Sequence, residues 1–149
     1  MPGDKPAILD FIIALQLYEA AMESNRRLDS SFAEEHFAAL IPRAWPPDGA
    51  VFIAEDDQPL GWAVVHDETG DVFLTADERR FAFIAELFVM EAARGKGIGR
   101  ALIAACETWA RARGFATIRI AVLAGNTRAA GLYQKAGYGP YALQLRKRL

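Results

Sequence analysis

The 149 residues carry 17 Lys and Arg against 19 Asp and Glu, a formal charge of -2, with 52% hydrophobic and 24% charged residues. That profile is expected of one soluble domain over 1–149; it excludes collagen-like and disordered chains and supplies no overall positive field for nucleic acid or an anionic membrane. One cysteine, Cys106, precludes an intrachain disulfide, and His36 and His66 show no zinc-ligand spacing, so no metal is expected and a reducing cytoplasm suits the chain.

The apolar stretch from Ala7 to Leu17 is interrupted by Asp10 and Gln16 and lacks a small-residue cleavage pattern, so it does not read as an export signal. No run reaches the roughly 18 apolar residues of a membrane helix. Instead Ile8, Phe11, Ile12, Leu15, Tyr18 and Met22 recur at three- and four-residue spacings, which predicts an amphipathic helix ending near the polar stretch 23–29. Ser31-Phe32-Ala33-Glu34 has the form of a capping box opening a second helix, which Pro42 is expected to close. Trp45-Pro46-Pro47-Asp48-Gly49 is turn material.

From Ala50 the period shortens. Val51 to Ile53 and Leu60 to Val65 are β-rich runs separated by Glu55-Asp56-Asp57-Gln58-Pro59, predicting an antiparallel hairpin. After a less patterned stretch from His66 to Arg80, the nearly continuous apolar run from Phe81 to Met90 predicts a strand covered on both faces. A further strand is expected from Ala116 to Leu123, and the alternation from Tyr141 to Leu145 is strand-like.

Between those two central strands lies Arg94-Gly95-Lys96-Gly97-Ile98-Gly99-Arg100, opening a helix with Ile98, Leu102, Cys106 and Trp109 on one stripe and Arg113-Gly114 as its stop. Glycines at alternating positions allow a tight turn and bring bare N–H groups close to an anion at a helix start. Ala92 to Cys106 carries Arg94, Lys96 and Arg100 and no acid, although helix starts favour acids. The dinucleotide fingerprint G-x-G-x-x-G fails at Arg100, and no Gly-Lys pair is followed by Ser or Thr as a nucleotide P-loop requires.

The segment resembles the acetyl-coenzyme A loop of the GNAT superfamily of N-acetyltransferases, preceded by the matching strand Glu86-Leu87-Phe88-Val89. Asn126 to Tyr138, with Gly131-Leu132-Tyr133 and Ala136-Gly137-Tyr138, resembles that family's second block. The resemblance implies an α/β (α+β) fold: a mixed, centrally splayed β-sheet flanked by helices, with acetyl-CoA as co-substrate in the V between the splayed strands. Arg94, Gly95, Lys96, Gly97, Ile98, Gly99 and Arg100 inherit diphosphate binding. Leu87, Phe88 and Val89 inherit the pantetheine arm, and an N–H near Leu87 or Phe88 would donate to the thioester oxygen. Asn126 would cap a short helix or bond the same arm.

The implied reaction is direct attack of a primary amine on the thioester. Tyr133 matches the family tyrosine that donates to the departing sulfur; its other reading is packing beside Leu132 and Tyr138. Glu86, the sole charged residue between Phe81 and Met90, is the candidate general base or else a structural carboxylate. Many relatives carry an acid one position earlier, where this chain has Ala85, and strict strand alternation would put Glu86 on the opposite face. Cys106, His36 and His66 read as structural residues.

Substrate choice is expected to rest on the first two helices and 66–80, where Glu19, Glu23, Glu34, Glu35, Asp77 and Glu78 suit either a cationic amine or an ordinary solvated surface. A small-molecule amine is the expected partner, with neither nucleic acid nor membrane. A peptide acceptor, a non-catalytic acyl-CoA sensor and pairing with a second copy all stay open.

Overall fold

A computed structural model describes residues 2–149. Helix α1 (Lys5–Ala20) is followed by α2 (Phe32–Ala44), the hairpin β1 (Gly49–Glu55) and β2 (Pro59–Thr69), and a single turn α3 (Ala76–Arg79). Then come β3 (Arg80–Val89), α4 (Ile98–Ala112), the short β4 (Ile118–Ile120) and α5 (Thr127–Lys135). The strands lie in the order β1-β2-β3-β4, with the first two pairings antiparallel and β3–β4 parallel. The sheet is therefore mixed, and helices cover both its faces.

Alternation along β2 builds both halves of the core. Trp62 and Val64 pack with Ile8, Phe11 and Ile12 of α1 and Leu40 of α2, while Ala63 and Val65 face Leu102, Cys106 and Ala110 of α4. Each large side chain so buried contributes about 1.5–3 kcal/mol. β2 runs on to Thr69, opposite Arg80 at the start of β3, so part of the segment that lacked a pattern in sequence is strand.

Local structure differs from the sequence expectation at four places. Pro42 does not close α2, which runs on to Ala44: in the last turn proline forfeits one backbone donor without blocking the two residues after it. Ser31 does not cap that helix, because its hydroxyl donates to Asp29 Oδ1 at 2.8 Å, and Glu34 pairs with Lys5 instead. The strand expected from Ala116 to Leu123 is paired only over Ile118–Ile120. Tyr141 to Leu145 is exposed and lies in no strand, its chain tied back by Arg146 to Glu23.

The connection between the first two helices is held by Arg27, whose guanidinium bridges Asp29 and Glu35 at 2.8 and 2.7 Å and holds both carboxyls below their usual range. These exposed pairs tie the connection down, while Ala33, Leu40 and Ala44, packed in the core with α1 and β2, set where α2 lies. α4 ends as expected at Gly114, whose φ of 79° turns the chain so that the Phe115 and Gly114 amides donate to Ala110 and Arg111 carbonyls. Among the described residues no helix is long and apolar enough to cross a membrane.

Candidate active site

The β2–β3 register steps from Val64 opposite Glu86 to Val65 opposite Ile84, so Ala85 is an extra residue in β3. The insertion resets the alternation. Ile84 and Leu87 pack toward α4, whereas Ala85 and Phe88 pack toward α1 and α2, and Glu86 reaches His36 of α2. Ala85 and Glu86 thus share a face, which corrects the expectation drawn from strict alternation.

Parallel pairing of β3 with β4 stops at Ile84 opposite Ile120, next to the bulge. Beyond that point the strands part around a cavity of about 730 Å³, lined by Glu86 to Val89 on one side and Ile120 to Leu123 on the other. Met90 N–H donates to Leu60 O, on the β2 side, while Val89 O accepts from Arg94 Nε at 3.0 Å. By alternation Leu87 and Val89 turn their backbone groups to the cavity and Phe88 turns its own to β2. Of the two amides, that of Leu87 therefore faces the cavity and that of Phe88 faces β2.

The glycine loop borders the same cavity. Gly95 and Gly97 both have φ of 80°, a left-handed conformation that L side chains rarely adopt, and a Cβ built on either meets nothing within 4 Å. Gly99 differs, being close-packed: a Cβ there would stand 3.0 Å from Leu132 Cδ2 of α5, which would have to give by a few tenths of an ångström. No side chain caps α4, so its first amides have no intrahelical acceptor. Arg94 is fixed by Val89 O and by the rings of Tyr18 and Phe88, 5.1 and 5.5 Å from its guanidinium carbon. Arg100 and Arg128 line the cavity; Lys96 is exposed and forms no part of its wall.

Glu86 is 9% exposed. Its Oε1 lies 2.5 Å from His36 Nε2, and its Oε2 is buried with no hydrogen-bond partner among the described residues. Glu19 of α1 lines the cavity as well; burial, and next in the same sense the nearby Glu86, raise its carboxyl above the usual range against the pull of Arg26 and His36. The hydrogen bond to Glu86 raises the His36 pKa above 6.5 despite partial burial.

α5 supplies the remaining groups. Asn126 Oδ1 accepts from Ala129 N–H at 3.2 Å, capping the helix as expected. At the other end Gly137, with φ of 96°, lets the Tyr138 and Gly137 amides return to the Tyr133 and Gln134 carbonyls. Tyr138 then packs on Tyr133, and its own hydroxyl is anchored by donating to Glu107 of α4 at 3.2 Å. Tyr133 is buried in the cavity wall; burial first, then the charges of Glu19 and Glu86, push its phenol up to about 12.

One cavity therefore gathers Glu86, Leu87, Phe88, Val89, Arg94, Gly95, Gly97, Ile98, Gly99, Arg100, Asn126 and Tyr133. Lys96 alone of the expected residues stands off it. Sequence alone marks His36, fifty positions from Glu86, as structural and assigns Arg128 no role; the structure sets the first against Glu86 and the second in the cavity wall. Among the described residues no group of three or more His, Cys, Asp or Glu side chains is placed to hold a metal ion.

A splayed mixed sheet holding a glycine loop at the start of α4 is the arrangement the sequence resemblance implied, and the model of the Acetyltransferase (GNAT) family matches residues 14–138. The chain belongs to the GNAT acetyltransferase family. That family uses acetyl-CoA. This GNAT chain is 32% identical over 139 residues to mycothiol acetyltransferase from Beutenbergia cavernae, covering 81% of the chain and 46% of that protein. It spans about half the length of the curated relatives it matches.

Among solved structures, a mutant of the BH1408 protein from Bacillus halodurans superposes with a TM-score of 0.84 at 19% identity, covering 99% of this chain and 94% of the other. AAC(6')-Iy in complex with the bisubstrate analog CoA-S-monomethyl-acetylneamine superposes with a TM-score of 0.62 at 21% identity, covering 81% and 82%. At these identities the likeness is one of fold.

Proposed function

We propose that this GNAT protein transfers the acetyl group of acetyl-CoA to a primary amine of a small molecule, by direct attack of the amine on the thioester. One observation carries the reading: a single cavity is lined both by the glycine loop and by Glu86 and Tyr133. A protein that only sensed acyl-CoA would need the first and neither of the other two. The name of the Beutenbergia relative and the bisubstrate analog held by AAC(6')-Iy support a small-molecule acceptor.

The loop suits a diphosphate. Open space stands where Cβ atoms at Gly95 and Gly97 would be, uncapped amides at Ile98, Gly99 and Arg100 face it, and the Arg100 and Arg128 cations line the wall without an ion pair among the described residues. Arg94 holds the loop to β3 through Val89 O, and Lys96 adds positive charge from outside the wall. Val89 and Leu87 present backbone groups along which a pantetheine arm can pair as an extra strand. Phe88 contributes its side chain to the wall rather than its amide.

When bound, acetyl-CoA supplies the activated acyl group. The Leu87 N–H donates to the thioester oxygen as negative charge develops on it. Glu86 Oε2 accepts the proton that the amine loses, directly or through one water. Tyr133, its phenol kept protonated by burial, donates to the departing sulfur. Asn126 fixes the start of α5 and so the placing of Tyr133. Glu19, facing the same cavity, favours an acceptor that carries positive charge. The single cysteine, buried at Cys106, suits a reducing compartment such as the cytoplasm.

Thiol release from acetyl-CoA over a panel of primary amines tests the reading. Turnover with at least one amine, with an amide as product, supports it. Tight CoA binding without turnover of any amine would favour a sensor, and turnover of peptides alone would move the acceptor to a protein.

A further inference from the structure

The Glu86 carboxylate is held from one side only. Its Oε1 has His36; its Oε2 is buried without a hydrogen-bond partner among the described residues, in a side chain that lines the cavity. A buried carboxylate oxygen without a donor is costly, so a donor is expected to arrive with a ligand. The imidazole that holds the other oxygen is itself fixed, stacked on Phe32 of the same helix with ring centroids 5.5 Å apart and an interplanar angle of 24°. Its second nitrogen, Nδ1, has no hydrogen-bond partner among the described residues, and about a third of the side chain is exposed.

We propose that His36 is a positioning residue for acetyl transfer: from α2 its Nε2–H holds Glu86 by Oε1, aims Oε2 at the acceptor amine, and through its own charge state sets how strongly Glu86 takes up a proton. The proposal rests on the acetyltransferase reading above. Nε2–H donates to Oε1 in either charge state, so the orientation of Glu86 does not depend on pH; the proton that comes and goes is on Nδ1. An imidazolium beside the carboxylate weakens it as a base, and a neutral imidazole restores it.

The charged and titratable groups facing this pair are Glu19 on α1, with Arg26 acting on it in turn, and Tyr133 on α5. In the step itself the amine nitrogen forms a C–N bond to the acetyl carbon as an N–H bond of the acceptor breaks and an O–H bond forms at Oε2, while the C–S bond breaks and the sulfur takes the Tyr133 proton. As amide and thiol leave, the carboxyl gives its proton to water in the open cavity and the Tyr133 phenolate takes one back from that water. No oxidant, metal or further reactant is needed to balance it.

The experiment compares the full chain with His36→Gln and His36→Ala, measuring kcat and KM for both substrates from acid to alkaline pH, with thermal melts to establish folding. The expected result is a loss of kcat of about 10²-fold in His36→Ala, with KM for acetyl-CoA unchanged, since a misaimed base affects chemistry and not cofactor binding. His36→Gln, which keeps an N–H donor but cannot titrate, recovers part of the rate and lacks the rise in kcat that the native protein shows as His36 loses its proton. A second readout needs no turnover: by NMR the His36 imidazole titrates above the usual histidine range and returns to it in Glu86→Gln.

Native kcat and an unaltered pH profile in both folded variants would overturn the proposal and leave the acetyltransferase reading intact. An ordinary His36 titration in the native protein would overturn it too. Absence of turnover by the native protein with every amine would remove the reading on which it rests.

Discussion

Ala85 and Glu86, consecutive in β3, both face the α1–α2 side of the sheet because the bulge adds Ala85 between Ile84 and Glu86. A carboxylate moved by one position therefore stays on the same side, as it would not in a regular strand. Glu86→Ala is expected to lower kcat by about 10²–10⁴-fold, the usual worth of a positioned general base. Ala85→Glu combined with Glu86→Ala should regain part of that loss. Steady-state kinetics on the pair of variants check it, and a double variant no better than Glu86→Ala would show that only position 86 reaches the amine.

Tyr133→Phe tests the other proton. The phenol titrates only near pH 12, so it stays protonated throughout an ordinary assay range and contributes no inflection of its own. Its removal should slow kcat by about 10²-fold or more while calorimetry finds CoA affinity nearly unchanged. Because the Tyr138 ring packs on that of Tyr133 and its amide bonds the Tyr133 carbonyl, contacts that phenylalanine keeps, little loss of stability is expected.

Gly97→Val separates backbone strain from ligand access. With φ at 80° a β-branched residue is strained by about 1–3 kcal/mol, yet its Cβ meets nothing within 4 Å among the described residues. Thermal melts should show the strain, and CoA titration of the folded variant should show a further loss of affinity where the side chain meets the diphosphate. Gly99→Ala, whose Cβ meets the movable end of Leu132 at 3.0 Å and makes ordinary contact with Val89 Cγ2 at 3.8 Å, should be milder in both measurements.

Much of this site could be read from the chain before folding. Gly95, Gly97 and Gly99 are spaced closely enough for loop and helix start to be seen together, and Asn126, Tyr133 and Gly137 fall within one short helix and its ends. What could not be read depends on contacts between distant segments. Nothing local marks Ala85 as a bulge, since the extra residue exists only relative to β2. His36 becomes a partner of Glu86 only because the apolar core shared with α1 and β2 places α2 against that face of the sheet. Ser31 shows the converse: a good capping pattern lost to a nearer acceptor at Asp29.

Stability should depend on pH through His36. Its folded pKa is raised above 6.5 by Glu86, so its contribution is fully present below about pH 6.5 and is lost as pH rises through the folded value. The melting temperature of the native protein should exceed that of His36→Gln most on the acid side, with the gap narrowing as pH rises through the folded value. A gap that widened with pH would contradict that sign.

Cys106 is fully buried, and burial pushes its thiol up to about 12, with Glu107 adding to the shift. The folded protein should react negligibly with a thiol reagent at neutral pH and release one equivalent on denaturation. Rapid labelling of the native protein would contradict the packing of α4 on the sheet and would also have to be subtracted from any thiol-release assay.

The central claim is that the glycine loop grips a diphosphate and thereby directs a thioester into the opening between β3 and the chain beyond β4. A crystal structure of the protein with CoA tests it most directly. Diphosphate oxygens are expected on the amides of 95–100, and the sulfur between Leu87 and Tyr133. CoA found outside that cavity, or a diphosphate making no contact with the loop, would contradict it.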